Sequence, residues 1–139
     1  ASLALIFLSL CTAGISLGIQ VHQSPSAVFR EVGGEVQLTC THEKSDYRVM
    51  LWYQRSPGDA ALKLLGYGYT EFKNNSVEEP FRKHFKLAGD LKGDTKHGSL
   101  SIIDVKAPEH TATYFCAASQ PQYIKHPSAC DKNLFPCIQ

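Results

Sequence analysis

Five cysteines and six histidines are the side chains of this 139-residue chain with the most chemistry to offer. A metal centre needs imidazole, thiolate or carboxylate groups that converge on one point. His22, His42, His84, His97, His110 and His126 stand on separate stretches, no two of them at a spacing of two or four, so neither a metal nor any other cofactor is expected. Asp59, Glu71, Glu78 and Glu79 fall in polar, turn-forming sequence, which suits solvated charges better than a carboxylate pair held face to face for acid–base work. The sequence contains no glycine-rich phosphate loop. Net charge is +1 with acidic and basic residues interspersed, which leaves no continuous basic surface for a nucleic acid. These features argue against an enzyme and for a protein partner.

The elements that must position these side chains are strands. Val36, Leu38 and Cys40 alternate with Gln37 and Thr39, the pattern of a strand with one face in a core. Residues 49–55 form the next strand, with Met50 and Trp52 on one face and Tyr53 and Arg55 on the other. Further strands are expected over 62–69, 81–87 and 100–105, and one ends at Cys116. Gly33-Gly34, Ser56-Pro-Gly-Asp59 and the polar stretch 89–98 supply the turns. Within 19–31, Gln23-Ser-Pro25 breaks a first strand, since proline removes a ladder donor and lets the chain pass between sheets. The length allows one ordinary domain, and a hydrophobic fraction of 43% suffices for its core.

Cys40, Trp52 twelve residues on, and Cys116 preceded at two residues by Tyr114 form the constellation around which the strands are arranged. With Gln23-Ser-Pro25, Leu51-Trp-Tyr-Gln54, Ser56-Pro-Gly58, Leu64-Leu-Gly-Tyr-Gly-Tyr69 and Tyr114-Phe-Cys-Ala-Ala-Ser-Gln120, it resembles an immunoglobulin variable domain over residues 19–120, and within that class a T-cell receptor beta-chain variable segment. The resemblance implies an all-β, two-sheet antiparallel sandwich whose sheets are joined by a Cys40–Cys116 disulfide packed on Trp52, with the Tyr114 hydroxyl bonded to backbone just upstream. A disulfide sulfur offers no thiolate, which removes Cys116 as a nucleophile. Two departures stand out. His110 replaces the Asp usual six residues before the second cysteine, which puts its ion pair with a basic residue in doubt, and Arg55 replaces the Gln usual at the centre of the inter-domain face.

By the same resemblance, the function is antigen recognition: binding of a peptide held by a major histocompatibility molecule, in a heterodimer with an alpha-chain variable domain. Asp46, Tyr47 and Arg48 would lie in the first hypervariable loop. Tyr67, Tyr69 and Glu71 would border the second, and Ala118 and Ser119 begin the third. Rigid tyrosines suit such a surface, since they give contact area at low entropic cost. Tyr53, Arg55, Leu62 and Phe115 match the inter-domain face, where exposed aromatics require a cover and opposed arginines would disfavour self-pairing. Asn74-Asn-Ser76 is a glycosylation sequon. An innate-type immunoglobulin receptor, an antibody light-chain variable domain and an adhesion module use the same fold and stand as alternatives.

Residues 1–18 read as a secretory leader lacking its start, with an apolar run too short to span a bilayer followed by small residues. The location expected is therefore the extracellular side of the plasma membrane, with anchoring by a constant region encoded elsewhere. Residues 121–139 lack the Phe-Gly-x-Gly strand that would finish the sheet. Pro121-Gln-Tyr123 and Asp131-Lys-Asn-Leu134 can be encoded by codons spelling a near-heptamer and a nonamer of a recombination signal. The segment is therefore read as a non-native or disordered tail, the translated end of an unrearranged gene segment, with Cys130 and Cys137 not needed for folding.

Overall fold

The computed structural model describes residues 3–8 and 19–121. Strands β1 (Leu3–Leu8), β2 (His22–Ser24), β3 (Ala27–Glu31), β4 (Val36–His42), β5 (Val49–Arg55), β6 (Lys63–Tyr69), β7 (Phe85–Asp90), β8 (Lys96–Ile102) and β9 (Ala112–Ser119) form two sheets, with a short helix α1 (Ala107–His110) before the last strand. One sheet runs β3-β1-β9-β5-β6 and the other β2-β4-β8-β7. The chain is thus an all-β, two-sheet sandwich.

The alternation read in β4 is present: Val36, Leu38 and Cys40 are buried and Gln37 is exposed. Opposite them, Met50, Trp52, Tyr114 and Cys116 project from the second sheet into the same core, with Leu65, Leu100 and Ile102 filling the space between. Cys40 and Cys116 are bonded, their Cα atoms 6.4 Å apart. Burying the indole and the disulfide side by side lets two sheets that each have only one apolar core face exclude water together.

The break at Ser24–Pro25, a cis peptide bond, sends β2 to pair with β4 and β3 to the other sheet. Gln23 also links the two sheets directly. Its side-chain oxygen accepts the Cys116 N–H at 3.0 Å, tying the edge of one sheet to the other.

Several expectations change. Residues 81–84 are not strand. A 3-10 turn at Glu79–Phe81 precedes β7, which starts at Phe85. Strand enters the polar stretch 89–98 from both ends: β7 runs on through Asp90, β8 opens at Lys96, and Leu91 and Lys96 are buried. Gly89 and Gly98 face each other across that pair. Gly89 must lack a side chain, because a Cβ there would lie 2.1 Å from the His97 carbonyl oxygen, while one on Gly98 would lie 2.2 Å from Met50 Sδ and force that buried side chain to move. The apolar run near the N-terminus holds a strand, β1, parallel to β9 and antiparallel to β3, with Ile6 inside the main core. It occupies the position beside β9 on the side away from β5.

Tyr114 makes the expected corner. Its hydroxyl donates to the His110 carbonyl at 2.8 Å and accepts from Gln54 Nε2 at 3.2 Å. Burial raises the phenol pKa, so the hydroxyl stays a donor. In place of an ion pair at position 110, the His110 ring lies against the His84 ring, with centroids 4.8 Å apart.

Candidate binding surfaces

Three connections meet at one end of the sandwich, and a single residue knots them. Thr70, just past β6, has a positive φ of 63°. Its N–H donates to the Arg48 carbonyl at 2.9 Å, and its own carbonyl accepts the Leu91 N–H at 2.9 Å. The β4–β5 loop, the segment after β6 and the β7–β8 turn are therefore one hydrogen-bonded unit, reinforced by a bridge between Glu71 and Asp90. Left-handed backbone at a β-branched residue is costly, and these bonds are what hold it.

On this frame Asp46 is exposed, and Tyr47 and Arg48 are half-buried. The Asp46 carboxylate accepts a hydrogen bond from the Gln120 side chain, which joins the β4–β5 loop to the residue after β9. That bond, ahead of the nearby Lys44 and Arg48 charges, holds the Asp46 carboxyl below its usual range. Tyr67 and Tyr69 stand out at 45% and 53% exposure on the same face of β6. Gly66 and Gly68 alternate with them, and a Cβ at Gly68 would collide with Phe72. Glu71 is exposed with Lys92 3.9 Å away. Asp46, Tyr47, Arg48, Tyr67, Tyr69 and Glu71 thus share one end of the molecule.

Ala118 and Ser119 belong to β9 rather than to a loop. They pair with Met50 and Val49, and Ser119 is only 6% exposed. The reason is that β9 keeps its ladder with β5 to its last residue, so a contact surface formed by this part of the chain begins at Gln120. Gln120 and Thr70 are the residues that sequence reasoning passed over. A Gln–Asp pair distant in sequence has no local signature, and a threonine at positive φ breaks the rule by which such positions are found.

The outer face of the five-stranded sheet carries a second apolar cluster of Val49, Leu51 and Tyr53, flanked by Leu62, Leu64, Phe115 and Ala117. Tyr53 was expected to be exposed and is not: at 5% exposure it is enclosed by these neighbours. Phe115 and Leu62 are half-buried, while Arg55 is exposed with its guanidinium 5.2 Å from the centre of the Phe115 ring. Hence β5 is apolar on both faces, one serving the core and one serving this cluster.

Asn74 is exposed, and Ser76 accepts the Lys73 N–H at 2.7 Å through its hydroxyl, closing a tight turn around the sequon. Among the described residues no group of three or more His, Cys, Asp or Glu could hold a metal ion, and no helix is long and apolar enough to cross a membrane.

The immunoglobulin V-set domain model matches residues 23–129, and the chain belongs to the immunoglobulin V-set family. Its similar curated proteins are receptor segments: human T cell receptor alpha variable 35 is 30% identical over 101 residues, covering 72% of this chain and 82% of that protein. Human T cell receptor alpha variable 23/delta variable 6 is 31% identical over 100 residues, covering 72% and 75%. A chain from a solved structure described as the structural basis of T cell specificity and activation by the bacterial superantigen toxic shock syndrome toxin-1 superposes with a TM-score of 0.60 at 20% identity, over 76% of this chain and 86% of that one. The last comparison speaks to fold alone. The chain is therefore a V-set domain similar to T-cell receptor variable segments.

Proposed function

We propose that this chain is one half of a two-chain, T-cell-receptor-type recognition module and not an enzyme. Its ligand surface is the loop end bearing Asp46, Tyr47, Arg48, Tyr67, Tyr69 and Glu71, and its ligand is a peptide held by a major histocompatibility molecule. The observation that carries this reading is the Thr70 junction, which presents three separate connections as one rigid surface with two exposed tyrosines on it. A surface held in place before binding loses less entropy when it binds.

The second variable domain covers the Tyr53, Leu62, Phe115 face, with Arg55 at its edge. The motifs taken alone point to a beta chain. Both human relatives are alpha or alpha/delta segments, and this favours the alpha/delta class, with the partner then being a chain of the complementary class rather than an alpha chain. Residues 1–18 act as the leader, and the receptor acts on the extracellular side of the plasma membrane.

Co-expression of the full chain with a panel of alpha and beta variable domains tests the class. Stable pairing with beta domains and not with alpha domains is expected, and the opposite preference would return the chain to the beta class. Tyr67 and Tyr69 pair with Leu51 and Val49 at the margin of the covered face, so the test substitutes the loop residues instead: Arg48→Ala with Glu71→Ala should abolish ligand binding while leaving pairing intact. An adhesion module that used a sheet face would keep its binding.

A further inference from the structure

We propose that His110, packed against His84, forms a pH-sensitive latch on the corner between β8 and β9: its neutral ring holds the corner shut, and proton uptake by that ring opens it.

His110 holds this corner with three groups at once. Its N–H donates to the Lys106 carbonyl at 3.0 Å. Its carbonyl accepts the Tyr114 hydroxyl at 2.8 Å, and its ring Nδ1 accepts the Lys106 N–H at 2.8 Å. A backbone N–H can only donate, so Nδ1 must be bare and the closed ring neutral, with its proton on Nε2. His84 has the opposite tautomer. Its Nδ1 lies 2.7 Å from the Ile103 carbonyl, which can only accept, so that nitrogen carries the proton. Protonating His110 on Nδ1 therefore breaks the bond that caps the turn.

A charge on either ring meets the other 4.8 Å away. His110 is 3% exposed, and Phe85 stands edge-on to it with centroids 5.3 Å apart. The remaining neighbours supply little compensation. Gln54 from β5 and the Tyr114 hydroxyl from β9 are neutral and already bonded to each other. β1, which packs against α1, contains only apolar residues. Asp104 and Lys106 in the loop before α1 pair with each other at 3.3 Å, and Arg82 after the 3-10 turn donates to the Val77 carbonyl. Glu109 is the one further carboxylate that acts on His110. Burial first, and His84 second, lower the proton affinity of His110 despite Glu109 and Asp104. Both rings, with Gln54 and Glu109, line a cavity of about 140 Å³, large enough for water to reach them.

The sign follows from this lowering. Above the ordinary histidine pKa of about 6.5 both folded and unfolded forms are neutral, and the latch is fully closed. As pH falls below that value the open form takes up protons that the closed form resists, so the closed form loses stability towards acid.

Amide exchange in the full chain reads the latch locally. Corrected for intrinsic rates, protection of the Lys106, His110 and Thr111 amides is expected to fall several-fold, and by about tenfold at most, between pH ~7.5 and ~5.5, the limit being one pKa unit of linkage. Amides of Leu38 and Leu100 should change less, and the double substitution His84→Arg with His110→Asp, which replaces repulsion by attraction, should remove the local dependence. Unchanged protection, or an equal fall at all these amides, would overturn the proposal. Ring-proton NMR on the unsubstituted chain is independent of any variant. His110 should titrate below about 6.5 and move upward in His84→Phe, whereas His110 titrating at the ordinary value and unmoved by that substitution would sink the idea.

Discussion

Arg55 and Phe115, on adjacent strands, face the same way, with the guanidinium 5.2 Å from the ring centre. A cation over an aromatic face is worth about 0.5–1 kcal/mol where water still reaches it, and it fixes the arginine at the rim of the Tyr53 cluster. In a symmetric dimer through this face, that arginine would confront its own copy. The chain is therefore expected to resist self-pairing. Arg55→Gln should tighten homodimerisation about tenfold, corresponding to ~1.4 kcal/mol, as read by sedimentation equilibrium. No change would show that the two arginines never meet.

Tyr67 and Tyr69 stand clear of the core. Replacing both by alanine should leave the urea midpoint of the full chain within about 0.5 kcal/mol of the original. A larger loss would mean that the rings hold the β6 edge together and are not reserved for a ligand.

The Cys40–Cys116 bridge closes a loop of 76 residues. Chain entropy then assigns it roughly 4–5 kcal/mol, a large part of the stability of a domain this size. The Cys40→Ala, Cys116→Ala chain should be largely unfolded at 37 °C by circular dichroism. Mass mapping of the oxidised chain should place Cys40 with Cys116 and with no other thiol.

Tyr114→Phe deletes the donor to the His110 carbonyl and the acceptor for Gln54. The expected cost is about 1–3 kcal/mol, because the groups left behind are buried. A denaturant midpoint unchanged by this substitution would show that the corner is held without the hydroxyl.

His42 provides a second, separate pH dependence. It is 1% exposed, its Nδ1 accepts the Lys44 N–H at 3.1 Å, and burial followed by the Lys96 ammonium lowers its pKa to about 4. Stability should be flat above about pH 6.5, fall as the pH drops towards 4 while only the unfolded chain takes up the proton, and level off below. His42→Gln should flatten that slope in urea titrations. An unaltered slope would assign the whole effect to the other histidines.

Residues that face one way for one reason were legible from the sequence. Cys40, Trp52, Tyr114 and Cys116 project into a single core, so their types and spacing announced both sheets. Tyr53 was harder: alternation correctly turned it away from Trp52, but alternation says nothing about whether the other face is wet. Lys96 and Leu91 were lost inside a stretch whose average is polar, because strand pairing there is secured by Gly89 and Gly98 and not by an apolar stripe. Thr70 left no trace at all, since its backbone conformation is imposed by Arg48 and Leu91 from elsewhere in the chain. The strand at Leu3–Leu8 was read as a leader because composition cannot distinguish an apolar segment meant for export from one that can also complete a sheet.

That strand gives the molecule a seat with two claimants. β1 lies between β3 and β9, with Ile6 in the core, and any strand supplied from beyond Gln120 to finish the sheet would need the same seat. The two cannot sit together. Loss of β1 would therefore bare the edge of β9 until another strand took that seat.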